Sequence, residues 1–114
     1  MAHTGEIDCF YALADPSRRE MLKMLSLEKQ NINALADRFT MSRPAVSKHI
    51  KVLTTAGFVT ITEQGRERYC ELSQAGFEEL RGWISFFEAY WTSELQSLEN
   101  FLNTRAAKKT TKKK

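Results

Sequence analysis

Apolar positions along the chain recur first at helical and then at strand spacing, and the changes of period fall on turn residues. Ile7 to Ala14 predicts a short first helix, closed by Asp15-Pro16, where Asp15 can cap the next helix and Pro16 occupies its first position. That second helix runs to about Leu27, with Met21, Leu22 and Leu25 inward and Arg18, Arg19, Lys23 and Glu28 toward water. Asn31 caps a third helix carrying Leu35, Ala36 and Phe39; a Thr40-Met41 turn follows, and Ser42 caps a fourth helix over 42–56. There Val46, Ile50 and Leu53 form the inner stripe, and Pro44 falls in the first turn, where an N–H has no intrahelical partner. Gly57 ends the helix.

From Phe58 the period drops to two, with Val59 and Ile61 on one face, a Gln64-Gly65 turn, and Tyr69, Cys70 and Leu72 on the return strand. After Ser73 helical spacing resumes in one last helix: Phe77, Leu80, Ile84, Phe87, Trp91, Leu98 and Phe101 keep near-heptad intervals, widened by Trp83, Phe86, Tyr90, Leu95 and Leu102. The order α-α-α-α-β-β-α predicts a mainly helical fold with a small β-hairpin, a winged helix-turn-helix whose wing is 58–72. One small domain cannot hide so many aromatics, and aromatic enrichment suits an interface between copies. The expected dimer surface comprises Ile7, Phe10 and Tyr11 of the first helix with Trp83, Phe87, Tyr90, Trp91, Leu95 and Leu98 of the last. Some of these aromatics are expected merely to close the core of one copy.

The outer face of helix 42–56 presents Arg43, Pro44, Ser47, Lys48 and Lys51, and the wing adds Arg66 and Arg68. Arginine has the fork geometry for guanine O6 and N7, and lysine reaches bases or phosphates, so double-stranded DNA is the expected partner. Taken alone, the helix face reads sooner as an ordinary solvated basic surface, but joined to the turn and wing it reads as a DNA face; the wing arginines read as phosphate or minor-groove contacts in preference to side chains solvated against Glu63 or Glu67. His49, at the border of the inner face, reads as a packing or hydrogen-bonded residue.

Charge sharpens this division. Of 17 basic residues, six (Arg105, Lys108, Lys109, Lys112, Lys113, Lys114) lie from Arg105 onward, leaving 11 against all 14 acids in residues 1–104, although the whole chain is +3. Within that acidic body, 38–68 holds Arg38, Arg43, Lys48, Lys51, Arg66 and Arg68 against Glu63 and Glu67 alone. Residues 1–104 read as one DNA-binding and dimerisation domain, and 105–114 as a disordered basic tail that adds phosphate contacts or only solubility. No stretch has the roughly 20 apolar residues of a membrane span, so a cytoplasmic protein is expected. Two cysteines, Cys9 and Cys70, are too few for a disulfide scaffold and read as small buried hydrophobes. No nucleophile–base pair or phosphate-binding glycine loop stands out, so no enzyme and no cofactor is expected. The rival reading is a protein-docking module built on the aromatic last helix; such a module has no need of a basic helix-and-wing face.

The run Phe10-Tyr11-Ala12-Leu13-Ala14-Asp15-Pro16-Ser17-Arg18-Arg19-Glu20-Met21-Leu22 resembles the opening of the ArsR family of bacterial winged-helix repressors. So do Ser42-Arg43-Pro44-Ala45-Val46-Ser47-Lys48-His49-Ile50-Lys51-Val52-Leu53, Ala56-Gly57-Phe58-Val59 and Gly65-Arg66, the resemblance covering about residues 7 to 102. It implies a homodimer that represses transcription at an imperfect palindrome, often in its own promoter, until a signal releases it. It also implies groove contacts at Arg43, Pro44, Ser47 and Lys48 and wing contacts at Arg66 and Arg68. The chain departs from the metal-sensing branch: the third helix has no cysteine, and 73–104 has neither cysteine nor histidine. With three or four good ligands needed, His3, Cys9, His49 and Cys70 are too scattered, and no metal is expected. An unknown small-molecule effector, if the protein has one, is expected to act at the last-helix interface.

Overall fold

Side chains that compete for backbone donors set the helix starts. In a computed structural model, which describes residues 6–110 and the side chains of 6–106, Asp8 accepts from Tyr11 N–H (2.9 Å) and caps α1 (Cys9–Leu13). Asp15 accepts from Ser17 N–H (2.7 Å) and Arg18 N–H (3.2 Å) at the head of α2 (Pro16–Leu25), whose first residue is proline. Partial burial pushes the Asp15 carboxyl up, but those two donors, with His49 and Arg18 nearby, outweigh it and hold its pKa below the ordinary 3.8. The stabilisation from this cap is therefore complete above the ordinary carboxyl range and is lost as pH falls through the lowered value. Asn31 caps α3 (Ile32–Ala36) and Ser42 caps α4 (Arg43–Thr55), as the sequence predicts. α1 starts two residues later than the apolar run suggests, and α2 stops two residues sooner.

The wing is β2 (Val59–Gln64) paired antiparallel with β3 (Glu67–Leu72), from Val59 opposite Leu72 to Gln64 opposite Glu67. This register places the two-residue connection at Gly65-Arg66, one position later than Gln64-Gly65. Gly65 takes φ +65°, a left-handed geometry that a tight hairpin needs. Arg66 thus belongs to the turn, and Arg68 alone of the two arginines lies on a strand, opposite Glu63. A third strand, β1 (Gln30–Asn31), pairs with β3 at Cys70 and Tyr69, giving the order β1-β3-β2. Two residues are too few to show alternation, which hid this strand from the periodicity.

The core gathers Cys9 and Ala12 of α1, Met21, Leu22 and Leu25 of α2, Leu35 of α3, the Val46-Ile50-Leu53 stripe of α4, and Phe58, Val59 and Cys70 from the wing. α5 (Ala75–Phe86) joins it through Phe77, whose ring meets Phe58 edge-on at 4.7 Å, and Leu80. Gly57 closes α4 at φ +86°, and its carbonyl accepts Gly76 N–H at 2.7 Å. That contact sets Gly76 so close that an added Cβ would lie 2.8 Å from Phe58 Cδ1 and 2.9 Å from the Ala56 carbonyl oxygen. A backbone oxygen cannot rotate away, so Gly76→Ala should destabilise the fold by about 1–3 kcal/mol in urea unfolding. Gly82→Ala, where a Cβ meets nothing within 4 Å, should instead stabilise by up to about 1 kcal/mol through helix propensity.

Two compact units divide between Leu80 and Arg81. The second holds the end of α5 and α6 (Glu88–Thr110), so the expected single last helix is broken at Phe87. Neither Gly nor Pro marks the break. Phe87 N–H turns back to the Ile84 carbonyl (3.0 Å), an i to i−3 bond in place of the helical i to i−4 one, and the Phe86 and Phe87 rings meet edge-on at 5.0 Å. α6 continues through Arg105 to Thr110, where disorder was expected. Ala and Lys are good helix formers, and extending an existing helix avoids the cost of nucleation. The rest of the predicted tail, 111–114, lies outside the described residues. No helix among the described residues is long and apolar enough to cross a membrane.

Candidate nucleic-acid interface

Burying Val46, Ile50 and Leu53 turns the other side of α4 outward, and Arg43, Pro44, Ser47, Lys48 and Lys51 are all exposed. Arg66 and Arg68 are exposed on the wing. Ser47 and Lys51, one helical turn apart, line a cleft of about 370 Å³ together with Arg68 of β3; Ile32, Ile50, Thr54 and Ile61 complete it. Recognition helix and wing therefore meet around one concave surface. Lys48 and Pro44 lie outside this cleft, as does Arg66 at the hairpin tip.

Arg43 is not a free fork. Its Nη1 donates to Asn33 Oδ1 (2.7 Å) and its Nη2 to Asp37 Oδ1 (2.8 Å), tying the first residue of α4 to α3 and the residue that ends it. Asn31, besides capping α3, donates through its side-chain amide to the Glu67 carboxylate, anchoring the third helix to the wing. The sequence reading missed Asn33, Asp37 and these roles of Asn31 and Glu67, since each contact depends on how elements pack rather than on spacing along one element.

Arg18 departs furthest from expectation: it is 8% exposed, not turned to water. Its Nε donates to the Ala12 carbonyl (2.8 Å), Nη2 to the Tyr11 carbonyl (2.9 Å), and Nη1 lies 3.0 Å from His49 Nδ1. A guanidinium has only donors, so His49 Nδ1 accepts and the ring proton sits on Nε2. His49 thus has the hydrogen-bonded structural part expected of it, binding α4 to the residue that also holds the end of α1.

Both cysteines are free and buried. Burial, then Glu79 and Asp8, push the Cys9 thiol up to about 11; burial, partly offset by Arg68, pushes Cys70 to about 11. Both shifts run opposite to the lowered pKa that activates a redox-sensing thiol. Among the described residues no group of three or more His, Cys, Asp and Glu side chains is placed to hold a metal ion.

The expected dimer residues separate by unit. In the second, Trp83, Ile84, Phe87 and Trp91 line an apolar hollow of about 370 Å³, with Trp83 and Phe87 edge-on at 5.1 Å and Tyr90 and Trp91 at 5.4 Å. Tyr90, Leu95 and Leu98 of α6 are exposed. In the first unit Phe10 and Tyr11 are exposed on α1, whereas Ile7 is half-buried against the core of its own copy.

Residues 15–60 match the family described as bacterial regulatory protein, arsR family. The chain is 33% identical over 93 residues to the HTH-type transcriptional regulator Rv2034 of Mycobacterium tuberculosis, covering 82% of this chain and 84% of that protein. It is 27% identical over 78 residues to the transcriptional repressor SdpR of Bacillus subtilis, covering 68% and 87%. Among solved structures, an ArsR family transcriptional regulator superposes with a TM-score of 0.68 at 34% identity, covering 74% of this chain and 92% of that one. A homodimeric winged helix-turn-helix DNA-binding domain from Mycobacterium bovis shares the fold at a TM-score of 0.55 and 22% identity, over 77% and 79%. With the helix-turn-helix, the wing and these similarities in hand, the chain belongs to the ArsR family, as a DNA-binding winged-helix transcriptional regulator and not an enzyme.

Proposed function

We propose that the protein is a homodimeric repressor that binds an imperfect palindrome, its own promoter among the candidates, with α4 in the major groove and the wing on the flanking backbone or minor groove. The observation that carries this reading is the convergence of Ser47 and Lys51 of α4 with Arg68 of β3 around one concave, cationic surface. Ser47 and Lys48 approach base edges with Pro44 beside them, Lys51 and Arg68 meet phosphate, and Arg66 reaches outward from the hairpin tip. Arg43 reads guanine by exchanging partners: its ion pair with Asp37, 59% and 68% exposed on its two sides and worth about 0–1 kcal/mol, and its exposed bond to Asn33 give way to a bidentate guanine contact of roughly 1–3 kcal/mol. The dimer forms through Trp83, Phe87, Tyr90, Trp91, Leu95 and Leu98, with Phe10, Tyr11 and the exposed part of Ile7 contributing from α1. The repressor name of the Bacillus subtilis relative and the homodimeric state of the Mycobacterium bovis domain support repression and pairing.

The test is a gel shift on the protein's own upstream region against competitor DNA across a salt series. Arg43→Ala should relax preference among sites. Lys51→Ala should weaken binding to every sequence alike and flatten the slope of log K against log salt by about 0.9. Wild-type protein that bound all fragments equally, or none, would overturn the reading.

A further inference from the structure

The cleft between α4 and the wing has a feature that DNA binding does not use. Phosphate is charged and hydrated, so cations suffice to meet it, yet Ile32 of α3, Ile50 of α4 and Ile61 of β2 give this cleft an apolar lining below its cationic rim. Its volume, about 370 Å³, lies within the roughly 300–1,000 Å³ typical of small-molecule sites. The rim cations are available: among the described residues neither Lys51 nor Arg68 forms an ion pair, although Glu63 stands opposite Arg68 in the hairpin, and Glu67 is engaged by Asn31.

We infer that this cleft binds a small amphiphilic carboxylate, its apolar chain on the three isoleucines and its single negative charge between Lys51 and Arg68, and that such a ligand releases the protein from DNA. The inference rests on the DNA-binding role given to α4 and the wing. Head group and DNA phosphate claim the same two cations, so occupancy by one excludes the other, and the weakening is reciprocal. The effector thus acts by direct competition at the groove-facing surface, whereas the sequence reading placed any effector at the last-helix interface.

The experiment uses the full chain with labelled isoleucine methyls and octanoate, well below micelle formation, as the probe. Octanoate should shift the methyl signals of Ile32, Ile50 and Ile61 saturably, while octan-1-ol, with the chain but no charge, and acetate, with the charge but no chain, should not. In a parallel gel shift octanoate should lower apparent operator affinity about 5-fold or more. Ile61→Phe, which fills the cleft from β2, should keep operator binding and lose the response; Thr54→Leu fills it from α4 should Ile61→Phe fail to fold. Unmoved cleft methyls, equal shifts with octan-1-ol, or shifts confined to Ile84 beside the Trp83–Trp91 hollow would overturn the site. Because the methyl signals require no DNA, absence of an operator would sink the DNA reading while leaving the site tested; octanoate bound in the cleft with operator affinity unchanged would sink the competition.

Discussion

Arg18→Ala is expected to cost about 3 kcal/mol of unfolding free energy, read as a lower urea midpoint at unchanged slope. The side chain is 8% exposed and satisfies the Ala12 carbonyl, the Tyr11 carbonyl and His49 Nδ1. α1 has only five residues, too few to persist alone, and the carbonyls at its end run short of intrahelical N–H donors. Truncating Arg18 therefore strands the Ala12 carbonyl and a ring nitrogen, leaves the Tyr11 carbonyl with the Ala14 N–H alone (3.2 Å), and loosens α1 and α4 together. Arg18→Lys should recover only part of the loss, because one ammonium on a flexible stem cannot span three acceptors that a planar fork reaches at once. His49→Ala should cost less than Arg18→Ala, since both backbone bonds remain. A loss within the roughly 0.5 kcal/mol range of ordinary surface substitutions would place Arg18 in water after all.

The same residue shows where sequence reasoning stops. Asp15, Asn31 and Ser42 were legible as caps because a cap is a bargain among neighbours two or three residues apart. Val46, Ile50 and Leu53 were legible because one helix face must bury them. Arg18 follows none of these local rules: its burial depends on a partner 31 residues away and on carbonyls exposed only where α1 ends. Likewise β1 exists only because β3 lies beside it, and Arg43 is held by Asp37 only once the helix-turn-helix has closed. The hairpin misplacement was smaller but consequential, since moving the turn by one residue separates Arg66 from Arg68, one at the tip and one in the cleft. The exposed side of α4 was legible because binary patterning fixes which side is free, while the cleft joining it to the wing required the register of three strands.

Replacing both Trp83 and Trp91 by alanine should convert the proposed dimer to a monomer and lower affinity for the proposed palindrome by about 10²- to 10⁴-fold. The two indoles are 54% and 53% exposed and border one apolar hollow with Ile84 and Phe87, the kind of aromatic cluster that dominates binding energy where proteins meet. In the proposed complex, affinity for the palindrome depends on that contact through geometry. Two copies of α4 must enter successive major grooves about 34 Å apart, and joining them makes the second half-site encounter intramolecular. A monomer keeps Arg43, Ser47, Lys48 and Lys51, so its grip on a single half-site should match the parent's; the loss should appear only when both half-sites are present. Sedimentation velocity reads the assembly, and fluorescence anisotropy on full and half operators reads the consequence. If the double variant stayed dimeric with full affinity, the interface would lie on another face. If half-site binding fell in step with full-site binding, the aromatics would be supporting the fold of the reading head and not the spacing of two heads.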